Sequence, residues 1–222
     1  MKPDIKICGL KTPETIERAV ARGASHIGFI FFEQSPRYIE PADAAEAVAA
    51  VRGKVKIVAV VVDPTNDDLD EIVSLLKPDL IQLHGNETPD RVLEVKMLYG
   101  LPVMKVFSVR DADDLRRIDS YIGIADRFLF DAKAPKGSEL PGGNGVSFDW
   151  TLMKQLDENV NYMLSGGLNK DNVAAALATT RARGLDVSSG VEEAPGVKNI
   201  DMIDGFFDAV AKASHLSAAS GS

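Results

Sequence analysis

The sequence predicts an α/β protein in which eight parallel strands close into a single (β/α)8 TIM barrel. Three observations carry that expectation. Short apolar, β-branched runs recur about every 25 residues, the spacing a βα unit requires. Segments with helix-start signals lie between the runs. Residues able to do chemistry collect at the C-terminal ends of the runs, where parallel α/β folds build their sites.

The first run, Ile5–Cys8, ends at Gly9, and Thr12 then stands before Pro13. A threonine cap followed by proline starts a helix, because proline has the helical φ and lacks an N–H that would go unbonded there. His26–Phe32 and Lys56–Val62 are the second and third runs, with Asn66 as the cap after the third. Leu69, Ile72, Val73 and Leu76 then form the i, i+3, i+4, i+7 stripe of a helix with one buried face. Leu80–His84 is fourth, and Thr88-Pro89 repeats the capping device. Val103–Val109 is fifth, with Asp111 as its cap, and Phe128–Ala132 is sixth. The following stretch, Lys133–Gly145, is long and contains glycine and proline, so it is expected to be a mobile loop near the site. Tyr162–Gly166 and Leu185–Ser189 complete the set, separated by a helix capped at Asn169. Ile203, Phe206, Phe207 and Val210 repeat the apolar stripe in a last helix.

Runs apolar on both faces argue for a parallel sheet, and eight of them argue for closure over an open doubly wound sheet. No composition break interrupts the alternation. Residues 1–213 therefore read as one domain, and the small polar tail 214–222 reads as frayed.

Composition narrows the function. Of 222 residues, 45% are hydrophobic and 26% charged, so a substantial core is available. No run of about 18 apolar residues exists to span a membrane, and the first residues lack the apolar core of a signal peptide. The single cysteine cannot form an internal disulfide, which fits a cytoplasmic location. A net charge of −8 without a basic cluster argues against nucleic acid. The expected partner is a small molecule, with the chain a monomer or homodimer.

Glycine and serine mark where an anion would sit. Ser165-Gly166-Gly167 closes the seventh run and Ser188-Ser189-Gly190 the eighth. In barrels the loops after strands seven and eight form phosphate sites, because glycine lets backbone N–H groups approach the anion. The ligand is then a phosphorylated small molecule. Cys8, His84 and Asp131 end other runs, with Gln82 on the face of His84. Lys6 shares the face of Cys8, about 6.6 Å below it. It either pairs with Asp131 or Asp186 and favours the thiolate, or lies near the bottom rim as structure only. Asp186 either pairs with Lys6 or bonds substrate hydroxyls. His84, His26 and His215 have no partners that would make a metal site.

Read together, these stretches resemble the phosphoribosylanthranilate isomerase family of the tryptophan pathway. The resemblance is carried by Lys6-Ile7-Cys8-Gly9, Gly28-Phe29-Ile30-Phe31 running to Ser35-Pro36-Arg37-Tyr38-Ile39, Gln82-Leu83-His84-Gly85, Phe130-Asp131, Leu164 to Asn169, and Asp186 to Glu192, in the family's order. It implies an Amadori rearrangement of N-(5′-phosphoribosyl)anthranilate without cofactor or metal. It further implies Cys8 as general base, Asp131 as general acid and Arg37 as holder of the substrate carboxylate. The chemistry fits those residue types. Ring opening needs a protonated acid, so Asp131 needs a raised pKa; removing the C2′ proton needs a thiolate, so a depressed pKa would help Cys8. Two alternatives stay open: the related histidine-pathway aminoaldose isomerase, which has aspartate where this chain has Cys8, and a phosphosugar-binding barrel without catalysis.

Overall fold

The strands close on themselves in the computed structural model, which describes residues 3–133, 142, 145 and 147–219, with side chains to Ser214. In order they are β1 (Asp4–Cys8), β2 (His26–Ile30), β3 (Lys56–Val61), β4 (Leu80–Leu83), β5 (Val103–Val109), β6 (Arg127–Ala132), β7 (Tyr162–Leu164) and β8 (Gly184–Val187). Each pairs in parallel with the next, and β1 closes the barrel between β2 and β8, with Lys6 level with His26 and Asp186.

Strand alternation separates two cores. Cys8, Val58, Val60, Met104, Val106, Leu129 and Met163 pack together inside the barrel. The opposite faces, with Ile5, Ile7, Ile27, Phe29 and Ile57 among them, pack against the helices. Those helices are α1 (Pro13–Ala21), α2 (Pro41–Ala47), α3 (Asn66–Leu76), α4 (Pro89–Tyr99), α5 (Ala112–Arg116), α6 (Val173–Thr179) and α7 (Ile200–Ala219). Between β6 and β7 the described residues form a 3-10 helix, Trp150–Gln155.

Thr12, Thr88 and Asp111 cap as the sequence suggests. Two caps differ. Thr65, not Asn66, caps α3, because its hydroxyl and the Asp68 carboxylate bond reciprocally to each other's backbone N–H. Asn172 stands at the N-cap position of α6 without a side-chain cap bond, while Asn169 turns the preceding loop by accepting the N–H groups of Asp171 and Asn172. Helix α7 continues past Ser214, where the sequence suggests fraying; its backbone is helical to Ala219 through residues with no glycine or proline. The expected mobile loop falls largely outside the described residues, of which Lys133, Gly142 and Gly145 belong to it.

Two features have no sequence forecast. After β8 the chain makes a short 3-10 turn, Ser189–Val191, and an antiparallel hairpin, β9 (Glu192–Ala194) with β10 (Val197–Lys198). Below the loop after β4 lies a buried ion pair. Lys105 Nζ donates to Glu87 Oε2 at 2.9 Å and to the carbonyls of Leu83 (3.3 Å) and Gly85 (2.9 Å). Those carbonyls flank His84. The backbone that presents His84 is thus held from both sides by one ammonium, and Glu87 also accepts the N–H groups of Gly85 and Asp63. Burying both charges is tolerated because each is hydrogen-bonded as well as paired.

Candidate active site

At the C-terminal end of the barrel the strand ends and loops surround a cavity of about 760 Å³, its open mouth included. Every site residue chosen from the sequence lies on its wall except Gly190. A side chain at Gly190 would place its Cβ 1.9 Å from the Leu168 carbonyl oxygen, so this glycine is where the loops after β7 and β8 touch.

Cys8 and Lys6 form one side. Both point inward from β1, and Gly28 of β2 leaves room for them: a Cβ there would sit 3.1 Å from both Cys8 Sγ and Lys6 Nζ. Lys6 is fully buried, donates to Asp186 Oδ1 at 2.9 Å and also bonds the Cys8 thiol. Of the two readings open for Lys6, the pairing with Asp186 holds, and Asp186 is engaged by Lys6. Burial nonetheless pushes the Cys8 thiol up; Lys6 and Lys198 oppose the shift and Asp186 adds to it. The thiol pKa is therefore raised, not depressed as the sequence suggests. Withdrawal from water outweighs the nearby ammonium, whose field Asp186 partly cancels.

Asp131 forms the other side, at the end of β6, with β7 and β8 between it and β1. Burial, then the negative field of Asp186, raises its carboxyl to about 7, against the partial stabilisation from the Ala132 N–H at 2.9 Å. His84 Nε2 stands 3.7 Å from Asp131 Oδ2, beyond hydrogen-bond length. Burial and the charge of Lys105 lower this imidazole to about 4, so it is neutral. Gly142 lies over the pair; a Cβ there would be 2.5 Å from Asp131 Oδ2 and 2.8 Å from His84 Cε1. His84 Nε2 and Gln82 Oε1 are buried and have no hydrogen-bond partner among the described residues. Buried polar atoms without partners mark where a ligand would supply them.

The serines divide. Ser165, next inward-facing after Met163 on β7, donates to Asp186 Oδ2 at 3.3 Å and also bonds Asp131, so its hydroxyl links Asp131 to the Lys6–Asp186 pair. Ser188 Oγ donates to the Cys8 carbonyl at 3.0 Å. The barrel interior and the start of β1's loop engage these two hydroxyls. Gly166 and Gly167, at φ +89° and +62°, and Ser189 line the cavity wall.

Arg37 follows β2 and is buried, yet its fork does not open freely onto the cavity. Its Nε donates to Glu192 Oε1 and its Nη2 to Glu192 Oε2, both at 2.8 Å. Lys198 Nζ donates to the same Glu192 Oε1 at 2.7 Å. Glu192 ends the stretch Asp186 to Glu192 that carries the family resemblance, its one signal in the sequence; Lys198 has none. Among the described residues no three His, Cys, Asp or Glu side chains converge as a metal-binding set would.

Comparison with known proteins identifies the family. Residues 5–209 match the family model described as N-(5′-phosphoribosyl)anthranilate (PRA) isomerase. An N-(5′-phosphoribosyl)anthranilate isomerase of Rhizobium etli is 75% identical over 222 residues, covering 100% of both chains. The crystal structure of the Thermotoga maritima phosphoribosyl anthranilate isomerase superposes with a TM-score of 0.84 at 33% identity, over 95% of this chain and 99% of that one. A structure of such an enzyme with reduced 1-(o-carboxyphenylamino)-1-deoxyribulose 5-phosphate gives 0.82 at 30% identity, with the same coverage. The closed barrel and the full-length match leave one conclusion: the chain belongs to the N-(5′-phosphoribosyl)anthranilate isomerase family and is an isomerase.

Proposed function

We infer that this cavity converts N-(5′-phosphoribosyl)anthranilate to 1-(2-carboxyphenylamino)-1-deoxyribulose 5-phosphate, an Amadori rearrangement in tryptophan biosynthesis carried out in the cytoplasm, with Asp131 as acid and Cys8 as base. The observation that carries the assignment is the environment of Asp131: a carboxyl raised to about 7, facing the same cavity as a buried thiol. A carboxylic acid that keeps its proton near neutral pH can deliver it to the ring oxygen. The C1′–O bond then breaks as the anilino nitrogen lone pair forms an iminium. That cation acidifies the C2′ proton, which the Cys8 thiolate removes, and the C–H electrons pass through C1′ to nitrogen. The enolamine so formed tautomerises to the ketone as C1′ is protonated. Lys6 supports the thiolate, and neutral His84 and Gln82 offer hydrogen bonds to the sugar. No helix among the described residues is long and apolar enough to cross a membrane.

The phosphate is assigned to the loops after β7 and β8, with the backbone N–H groups of Gly167 and Ser189 as its donors. Gly167→Val forces a β-branched side chain into φ +62°. It is expected to raise KM more than it lowers kcat, and to weaken competition by inorganic phosphate. Unchanged phosphate inhibition would move the subsite elsewhere.

Arg37 is assigned to the anthranilate carboxylate. Arg37→Ala is expected to lose about 2–4 kcal/mol of transition-state stabilisation in kcat/KM, the cost of a charged contact left half-made. Glu192 keeps Lys198 as its partner in this variant, so the pocket is not left with a bare buried anion. A product analogue without the carboxylate should bind wild type poorly and the variant no worse. Equal discrimination by both proteins would remove Arg37 from the site.

A further inference from the structure

We propose that Glu192 and Lys198, on the hairpin after β8, are positioning residues for substrate recognition: Glu192 fixes the Arg37 guanidinium, and Lys198 gives this end of the cavity the single positive charge that one carboxylate requires. The proposal rests on the assignment of Arg37 to that carboxylate.

Arg37, Glu192 and Lys198 form a cluster with side chains 5%, 3% and 2% exposed. Glu192 engages the guanidinium at both Nε and Nη2, which fixes the plane of the fork as well as its position. An arginine held this way is pre-organised, but the pair by itself is neutral, and a neutral pair offers a buried carboxylate little net attraction. Lys198 changes that balance. Among the described residues, two cations and one anion leave the cluster one positive charge.

The ammonium does not line the cavity. Its three N–H groups meet the Ser188 carbonyl (3.0 Å), Ser188 Oγ (3.1 Å) and Glu192 Oε1 (2.7 Å). Lys198 therefore acts through its charge and through Glu192. The hairpin is also seated on the arginine's own loop: a Cβ at Gly196 would lie 2.3 Å from the Pro36 carbonyl oxygen, and this glycine sits at φ +82°. The turn of the hairpin and the Ser35–Arg37 segment thus form one packed unit. The groups facing Lys198 are Glu192 on its own hairpin, Arg37 on the loop after β2 and Cys8 on β1, and burial brings its ammonium down to about 8.

The test compares two ligands on three proteins: the reduced product analogue with its carboxylate, and the same molecule with a plain phenyl ring. Wild type should prefer the first; no preference in wild type would overturn the Arg37 assignment itself rather than this proposal. Lys198→Gln keeps hydrogen-bonding capacity and removes the charge. It should weaken the carboxylate analogue at least tenfold and leave the phenyl analogue within twofold, while Lys198→Arg restores the preference. Equal weakening of both ligands, or weaker inhibition by inorganic phosphate, would overturn the proposal by assigning Lys198 to structure or to the phosphate. So would an unchanged preference. Should Lys198→Gln fail to fold, wild type alone decides. Its preference for the carboxylate analogue, taken as a ratio so that titration of Cys8 cancels, should fall as pH rises from 7 to 9.5. A ratio flat over that range would overturn the charge role.

Discussion

Asp131→Asn is expected to lower kcat by a factor of about 10² or more, with KM little changed. An amide cannot deliver the proton that opens the sugar ring, yet it fills the same space and can still accept the Ala132 N–H. The variant is also expected to be more stable than wild type at pH 8, because of the sign of the linkage. The folded carboxyl is raised from an ordinary value near 3.8 to about 7, so between those values the native state holds a proton that the unfolded chain has released. Stability therefore falls as pH rises through that window, and above about pH 7 the protein carries an unfavourably buried carboxylate. Asparagine removes that cost. Steady-state kinetics and thermal melts at pH 5 and pH 8 check both halves: the gain in Tm should be present at pH 8 and smaller at pH 5. Near wild-type turnover would transfer the acid role elsewhere, and a lower Tm at pH 8 would contradict the burial argument.

Cys8→Ser is the second large effect, again a loss of about 10² or more in kcat, since a hydroxyl does not ionise near neutral pH. The pH profile separates this from a packing defect. The productive form has Asp131 protonated and Cys8 ionised, while burial raises the Asp131 carboxyl to about 7 and pushes the Cys8 thiol up. With the thiol raised above the carboxyl, the productive form is a minor one. The profile of kcat/KM should therefore be bell-shaped with an alkaline limb belonging to the thiol, and that limb should vanish in Cys8→Ser. Once the ring has opened, the iminium beside Cys8 favours the thiolate at the moment it is needed. Iodoacetamide should accordingly react slowly at pH 7 and faster through pH 9, with product protecting. Were Cys8→Ala to keep near wild-type turnover, the thiol would be a packing residue, and His84 or Asp186 would be the next base to examine.

The barrel and most of the cavity wall are legible in the amino-acid sequence. Runs apolar on both faces need both faces buried, as in a parallel sheet covered by helices, and Thr12-Pro13, Thr88-Pro89 and Asp111 start helices by local bonding alone. The side chains that end those runs share one end of the barrel because all strands point the same way; Cys8, His84 and Asp131 could be grouped from order alone. Local pattern did less well where two caps compete within one turn, as at Thr65 and Asn66. The tertiary structure alone decided the partners. Lys6 chose Asp186 over Asp131 because closure sets β1 beside β8, 180 residues away in sequence. The thiol is raised rather than depressed because its pKa depends on how much water the barrel excludes, which no spacing encodes. Ser165 and Ser188 turned inward for the same reason, finding buried acceptors that exist only once the barrel is shut. Arg37 shows the division most sharply: its place after β2 was legible, but the Glu192 and Lys198 that orient and charge it come from a hairpin some 155 residues on, and only the closed fold brings them together.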